Sequence, residues 1–502
     1  MSGFVMTIAL VGIVIVVASL LSGALERKGV PLVAFFLALG VALGPWGLGV
    51  ANVGLDSPVL RGIATLALTL VLFSDAVTFD LRQVRSHLRL AWRLLGPGTL
   101  LPALLIALAS AWLLGLSAPA AAILGAALAS TDPVLLRSVL RSPGFPPPAR
   151  MALRLETGMN DVVLLPVVVL AMLFLGGGPV GAGEMVRHAL GLFLLGPALG
   201  GLVGWIGIVA LGQVRDRVGV RRDYESLYAI GLAFTGYAAA EAVGGSGFLA
   251  AFAAGAMVAW QDVELCDCFL EYGEATAEML LLLTFVALGM SLIWSGLEVA
   301  SWRTLAFAAI ALSVRTLVLL PVLRGVGLGT RDRRLVAAFG PRGLSSLLFA
   351  LLPVFEGIAG AERIFTITCL VVLLSVVVHG GGIALFLRRG HRRAAGARPE
   401  ATGAAAEPAA ARAAPGAPLP AAPEASAPPA AAAPPERIEI AELRELVARG
   451  EPVTIADARA ERSYDQDEIQ AKGAIRLPPQ APVRAASELR LAHHGTIVVY
   501  CA

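Results

Sequence analysis

LRLETGMNDVVLLPVVVL, residues 153–170, sets a glutamate, a threonine, an asparagine and an aspartate inside what otherwise reads as a membrane-spanning helix. At 3.6 residues per turn Asp161 lies one turn from Thr157, and Asn160 one turn from Glu156, so two adjacent polar pairs share roughly one side. That side cannot face lipid, because a carboxylate at membrane depth costs at least about 2.5 kcal/mol. Asp161 is therefore expected to point into a protein-lined or watery cavity. Intramembrane carboxylates mark ion and proton pathways more often than they hold helices together, although a purely structural polar cluster is the alternative.

Working outward, the chain of 502 residues is 57% hydrophobic and only 15% charged, with a mean hydropathy of +0.78. Its apolar residues come in blocks of about 20 separated by short charged loops, the length that crosses a bilayer core. This excludes a soluble enzyme or a nucleic-acid-binding protein and gives an all-α polytopic membrane protein, with the lipid bilayer as its first partner. Spans are predicted near residues 4–25, 30–50, 59–79, 90–115, 118–140, 151–175, 186–212, 224–243, 247–260, 275–296, 302–323, 334–356 and 363–388, about thirteen in all. The N-terminal run lacks a basic segment before it and reads as a first span, not a cleaved signal peptide. Loops after odd-numbered spans carry arginine and lysine (Arg27 and Lys28; Arg82, Arg85 and Arg89; Arg215, Arg217, Arg221 and Arg222; Arg331, Arg333 and Arg334), and even loops are nearly bare. The positive-inside rule then places the N-terminus outside the cell membrane and the C-terminus in the cytoplasm. Cys266, Cys268, Cys369 and Cys501 give no disulfide framework. Cys266-Asp267-Cys268 lacks the usual metal-ligand spacing and reads as a solvated acidic loop.

Two predicted spans are interrupted. In AILGAALASTDPVLLRSVL, Asp132-Pro133 sits at mid-depth: proline removes an amide donor, pushes the preceding residue toward an extended conformation, and suits the first position of a new half-helix that Thr131 or Asp132 can cap. In LVAAFGPRGLSSLLFALL, Gly340, Pro341, Arg342 and Gly343 interrupt the pattern in the same way. With the seventh span as a linker, these are the fifth spans of two six-span halves of opposite orientation. Paired broken helices in inverted repeats point to a midplane binding site. Arg315, deep in its span, is expected to be paired and buried rather than to snorkel.

Ser130-Thr131-Asp132-Pro133-Val134, Glu156-Thr157-Gly158-Met159-Asn160-Asp161, Gly244-Gly245-Ser246-Gly247-Phe248-Leu249-Ala250 and Gly340-Pro341-Arg342-Gly343 together resemble the monovalent cation/proton antiporter superfamily, nearest its sodium/proton exchanger branch, over roughly residues 5–388. The resemblance implies a homodimer whose broken helices cross beside the ion site. It implies that Asp161 carries the cation and the proton, assisted by Thr131, Asp132 and Thr157, that Glu156 pairs with Arg315, and that Arg342 neutralises the crossing. Asp161 and Asp132 are then the charged ligands of the monovalent cation. Asn160 stands where electrogenic relatives have a second aspartate, which implies electroneutral exchange. Some members carry a carboxylate at the place of Ser74, and this chain has Asp75 one position on. No resident cofactor is implied, only transported protons and a monovalent cation, sodium first and potassium as the alternative. A channel is disfavoured, because two broken helices in inverted halves suit alternating access.

Residues 389–435 change to alanine and proline runs after a basic cluster, and read as a disordered linker anchored at the inner membrane surface. Residues 436–502 read as a small α/β piece that resembles a partial rhodanese domain, through Asp457-Ala458-Arg459, Tyr464, Gly473-Ala474 and Tyr500-Cys501. A sulfurtransferase cysteine needs a following loop of backbone amides to stabilise its thiolate. The sequence stops at Ala502, so this is either a fragment or a non-catalytic remnant, and Cys501 is expected to be inactive as written. The rival reading is a membrane domain regulated by this sulfur- or redox-sensing module. In either case the membrane part, residues 1–388, is expected to be a secondary transporter rather than an enzyme.

Overall fold

The computed structural model describes residues 3–28, 32–50, 53–78, 87–140, 142, 145–176, 181–261 and 263–386, together with residues 443, 449, 453–459, 464, 470–471, 473–478, 485–486, 489, 491 and 496–500 of the C-terminal part. The chain separates into two compact units, Met1–Arg398 and Pro399–Ala502. The linker read at 389–435, the loop holding Arg82 and Arg85, and Cys501 lie outside the described residues.

The first unit is helical because its continuous apolar runs leave each backbone amide no partner in lipid except a carbonyl of its own helix. Seven described helical segments are long and apolar enough to cross a membrane: Pro58–Val77, Leu88–Leu114, Ala118–Arg137 (broken, as described below), Pro147–Leu175, Gly191–Arg215, Trp302–Val322 and Ala361–Phe386. An eighth is reached if Ala275–Met290 and Leu292–Glu298, bent by 60°, count as one span. This is fewer than the thirteen spans expected from the sequence. Part of the difference lies in short apolar helices, among them Leu32–Leu43, Gly247–Gln261 and Leu344–Phe355, none of which reaches the length that spans a bilayer unaided; Gly3–Lys28 and Arg222–Ala242 are long helices that fall outside the seven.

Helices in this unit approach closely where side chains are small. Gly196, Gly200 and Gly204 recur every four residues on Gly196–Arg217 and face Ser246, Ala250 and Ala254, which have the same spacing. A Cβ on Gly196 would come within 2.8 Å of the Ser246 carbonyl, and one on Gly204 within 3.0 Å of that of Ala254. Gly289 and Gly40 do the same between Val263–Met290 and Leu32–Leu43. Such contacts replace the hydrophobic driving force that is absent between helices in lipid.

Both interruptions read from the sequence are real breaks. Ala118–Ala129 ends at Ser130, which is extended, and a second half-helix runs Pro133–Leu140. Thr330–Ala338 ends before Phe339, and Leu344–Phe355 begins after Gly343. Against them pack the unbroken Pro147–Leu175, which carries the polar stretch, and Trp302–Val322, which carries Arg315.

The second unit contains a parallel three-stranded sheet in the order β2-β1-β3, with β1 Val453–Asp457, β2 Ile475–Arg476 and β3 Thr496–Tyr500. Asp457 ends β1 and accepts from Arg459 Nη2 at 2.7 Å and from the Tyr500 hydroxyl at 2.8 Å. The Arg459 hydrogen bonds hold its carboxyl well below the usual range, at about 2. Tyr464 covers the Arg476 guanidinium, its ring centroid 4.2 Å from the guanidinium carbon.

Candidate functional site

The two breaks are joined at Asp132. Its amide donates to the Pro341 carbonyl at 3.0 Å, Oδ1 accepts from the Val134 amide at 2.7 Å, and Oδ2 accepts from the Leu344 amide at 2.7 Å. One carboxylate thus caps two half-helices, its own Pro133–Leu140 and Leu344–Phe355 of the other break. Helix N-termini expose amides without partners and favour negative charge, so an aspartate preceding one proline-started turn satisfies both. Gly343 makes room for this, since a Cβ there would run into the Asp132 carboxylate.

Arg342 serves the opposite polarity. Its Nη1 donates to the carbonyls of Ala129 at 2.7 Å and Ser130 at 2.9 Å, where Ala118–Ala129 ends, and lies 3.3 Å from Thr131 Oγ1. A cation at a helix C-terminus is stabilised by the helix dipole. Its main-chain amide donates to Ser375 Oγ at 2.7 Å. Arg342 is fully buried, and its Nε and Nη2 have no protein partner.

Glu156 and Arg315 form a bidentate pair, Nε to Oε1 at 2.7 Å and Nη2 to Oε2 at 2.6 Å, with each side chain 3% exposed. Arg315 Nη1 also donates to the Ala337 carbonyl at 3.0 Å. A Cβ at Gly340 would strike the same guanidinium, so both glycines of the Gly-Pro-Arg-Gly run are there to admit a charged group.

Asp161 is 1% exposed. Its Oδ1 accepts from the Ser130 hydroxyl at 2.5 Å, and Oδ2 has no hydrogen-bond partner. Beside it neither Oδ1 nor Nδ2 of the buried Asn160 is partnered. Three buried carboxyls, Asp132, Glu156 and Asp161, meet two buried guanidiniums here. Glu156 is matched by Arg315, and Asp132 by two helix N-termini within a crossing that also holds Arg342. Asp161 is left as the carboxyl without a counter-charge, which a proton or one monovalent cation would supply.

The other residues singled out from the sequence fall as follows. Thr157 donates its hydroxyl to the Leu153 carbonyl at 2.9 Å, leaving only oxygen lone pairs for a ligand. Thr131 Oγ1 bridges Arg342 and Glu156, 3.5 Å from the latter. Asp75, half-buried near the end of Pro58–Val77, takes part in none of the hydrogen bonds of the crossing described above. Ser130, Ser345 and Ser375 have no role assigned from the sequence. Ser130 opens the Ser-Thr-Asp-Pro run and Ser345 follows the second break, so their position next to each interruption was the available signal. Among the described residues no group of three or more His, Cys, Asp or Glu could hold a metal ion.

The sequence profile described as "Sodium/hydrogen exchanger, transmembrane" matches residues 12–389. The chain belongs to the sodium/hydrogen exchanger family. Relatives of this chain include the K(+)/H(+) antiporter NhaP of Alkalimonas amylolytica, 26% identical over 76% of this chain and 66% of that protein. The K(+)/H(+) antiporter NhaP2 of Shewanella oneidensis is 27% identical over 74% of this chain and 65% of that one. The Na(+)/H(+) antiporter 2 of Zygosaccharomyces rouxii is 26% identical over 66% and 46%. The chain therefore spans just under two thirds of the length of the first two of these curated relatives. Its fold is that of the sodium proton antiporter MjNhaP1 from Methanocaldococcus jannaschii at pH 8, with a TM-score of 0.60 at 20% identity over 76% of this chain and 98% of that one.

Proposed function

We propose that the chain is a secondary antiporter that exchanges one monovalent cation for one proton, with Asp161 as the group that takes either. The observation that carries this reading is the state of Asp161: buried, one oxygen unpartnered, and the one carboxyl at the crossing that no arginine or helix terminus matches. The family and the antiporters named among its relatives support it. Asp132, Arg342 and the Glu156–Arg315 pair keep their charge state and hold the crossing, and Thr131, Thr157 and Asn160 line it. Sodium is the first cation to test, after the family's description, and potassium the second, because the NhaP and NhaP2 relatives carry potassium in their names.

With only Asp161 changing its ligand, the two moving forms are a cation on ionised Asp161 and a neutral, protonated Asp161. Their charges are equal, so exchange is electroneutral and gains nothing from membrane voltage, which otherwise contributes about 2.3 kcal/mol per charge per 100 mV. In our reading residues 1–388 form this transporter as about thirteen spans in two inverted repeats. It works as a homodimer in the cell membrane, with the N-terminus outside and the C-terminus cytoplasmic. Residues 389–435 are a linker, and 436–502 a partial rhodanese-like domain that modulates it. Proteoliposomes holding the full chain, with an internal pH-sensitive dye, test the function. Sodium, potassium or lithium should dissipate an imposed pH gradient at a rate independent of imposed potential. Failure of all three cations would overturn antiport, and a rate that follows the potential would overturn one-for-one exchange.

A further inference from the structure

We propose that Ser345 and Ser346, on the first turn of the Leu344–Phe355 half-helix, supply hydroxyl ligands to the transported cation and set its selectivity. The inference rests on the antiport reading and adds to it the ligands that the second broken span contributes.

Three buried side-chain oxygens on the two helices Pro147–Leu175 and Leu344–Phe355 have no hydrogen-bond partner: Asn160 Oδ1, Asp161 Oδ2 and Ser346 Oγ. Ser346 is fully buried and Asn160 and Asp161 nearly so. Leaving a buried polar group unpaired costs about 1–3 kcal/mol, so such atoms mark a place where something binds. Two of the three lie on Pro147–Leu175 and the third on the half-helix that packs against it. Ser345, 5% exposed, precedes Ser346 on the same turn. A hard cation is held by oxygen ligands, and the charge at this point permits one anionic ligand and several neutral ones. One carboxylate, one amide oxygen and two hydroxyls meet that description.

The arrangement also explains why Asp132 spends its own oxygens elsewhere. By holding the Leu344 amide at 2.7 Å, Asp132 fixes the first residue of the turn that carries both serines. It is thus a positioning residue, acting on the cation through the serines rather than by contact. Cation binding then ties the unbroken helix to the second broken span, and protonation of Asp161 releases that tie without changing the charge of the site.

The test uses the full chain with Ser345→Ala, Ser346→Ala and the double substitution. Ser313→Ala, an exposed serine on Trp302–Val322 that donates to the Ala309 carbonyl, is the control. Exchange in proteoliposomes gives KM for sodium, potassium and lithium. The cation-dependent shift in melting temperature of the detergent-purified protein reports binding without transport. In the double variant KM should rise roughly tenfold, which corresponds to about 1.4 kcal/mol. The ratio of the KM values for sodium and potassium should change, and the cation-dependent shift should shrink. A merely structural role would instead lower the melting temperature in the absence of cation and slow all three ions in proportion. That pattern, or wild-type KM values and shifts in the double variant while the wild type exchanges normally, overturns the assignment. A wild-type protein that exchanges no cation fails at the antiport reading itself, and the ligand assignment falls with it.

Discussion

Glu156 and Arg315 offer the sharpest test of how the crossing balances charge. Removing one partner of a buried pair leaves an uncompensated charge and costs about 3–5 kcal/mol. The surroundings make the two losses unequal. After Glu156→Ala, Arg315 remains 3% exposed beside Gly340 and shares the crossing with a second buried cation, Arg342. After Arg315→Ala, Glu156 keeps Thr131 Oγ1, which also contacts Arg342, and Arg342 still has two unengaged donors, Nε and Nη2. Glu156→Ala should therefore fall at the upper end of that range and Arg315→Ala at the lower end. The double variant should be less damaged than the sum of the singles, with a coupling of about 1–3 kcal/mol. The assay is the temperature at which the detergent-purified protein loses half of its monodisperse peak after heating. Additive losses, or an Arg315→Ala variant less stable than Glu156→Ala, would refute the reasoning.

Asp161→Asn should abolish exchange while the purified protein melts no lower than wild type, because the substitution removes a buried charge that no arginine balances; wild-type exchange rates would place the carrier elsewhere. Gly343→Ala puts a Cβ into the Asp132 carboxylate, and the displaced cap should lower stability by on the order of 2 kcal/mol in the same melting assay; an unchanged melting temperature would mean that the crossing is loose. In the C-terminal unit the folded-state Asp457 carboxyl lies at about 2, below its ordinary 3.8, through its Arg459 hydrogen bonds. Its contribution is complete above the ordinary value and is lost as pH falls toward about 2. Amide-exchange protection of Val453–Asp457 in the full chain, corrected for intrinsic rates, should therefore drop across that window and should already be weakened at neutral pH in Asp457→Asn.

The polar side of the 153–170 helix, the Asp132-Pro133 break and the Gly340–Gly343 break were legible because each violates the chemistry of an ordinary lipid-facing helix. That Arg315 is buried and paired followed from the cost of an unpaired charge at that depth. Its distance from Glu156 in sequence, 159 residues, is beyond any local pattern, and only the family resemblance implies the pairing. Asp132 shows the opposite case. Its residue type suited a cation ligand, yet both oxygens accept backbone amides, one of them 212 residues away, because two helix N-termini converge on it. Ser345 and Ser346 looked like small core residues beside a break, since whether a hydroxyl faces a site depends on the packing of another helix.

Asp161 binds either a proton or a cation in this account, so the most direct measurement is proton release on cation binding. The detergent-purified full chain, in weakly buffered solution with a pH indicator, receives sodium, potassium or lithium chloride, with choline chloride as the ionic-strength control. The account predicts that at least one of the three ions releases protons, at most one per chain, and that Asp161→Asn releases none. Equal release from wild type and Asp161→Asn, or cation binding by the wild type with no proton released at any pH, would contradict it.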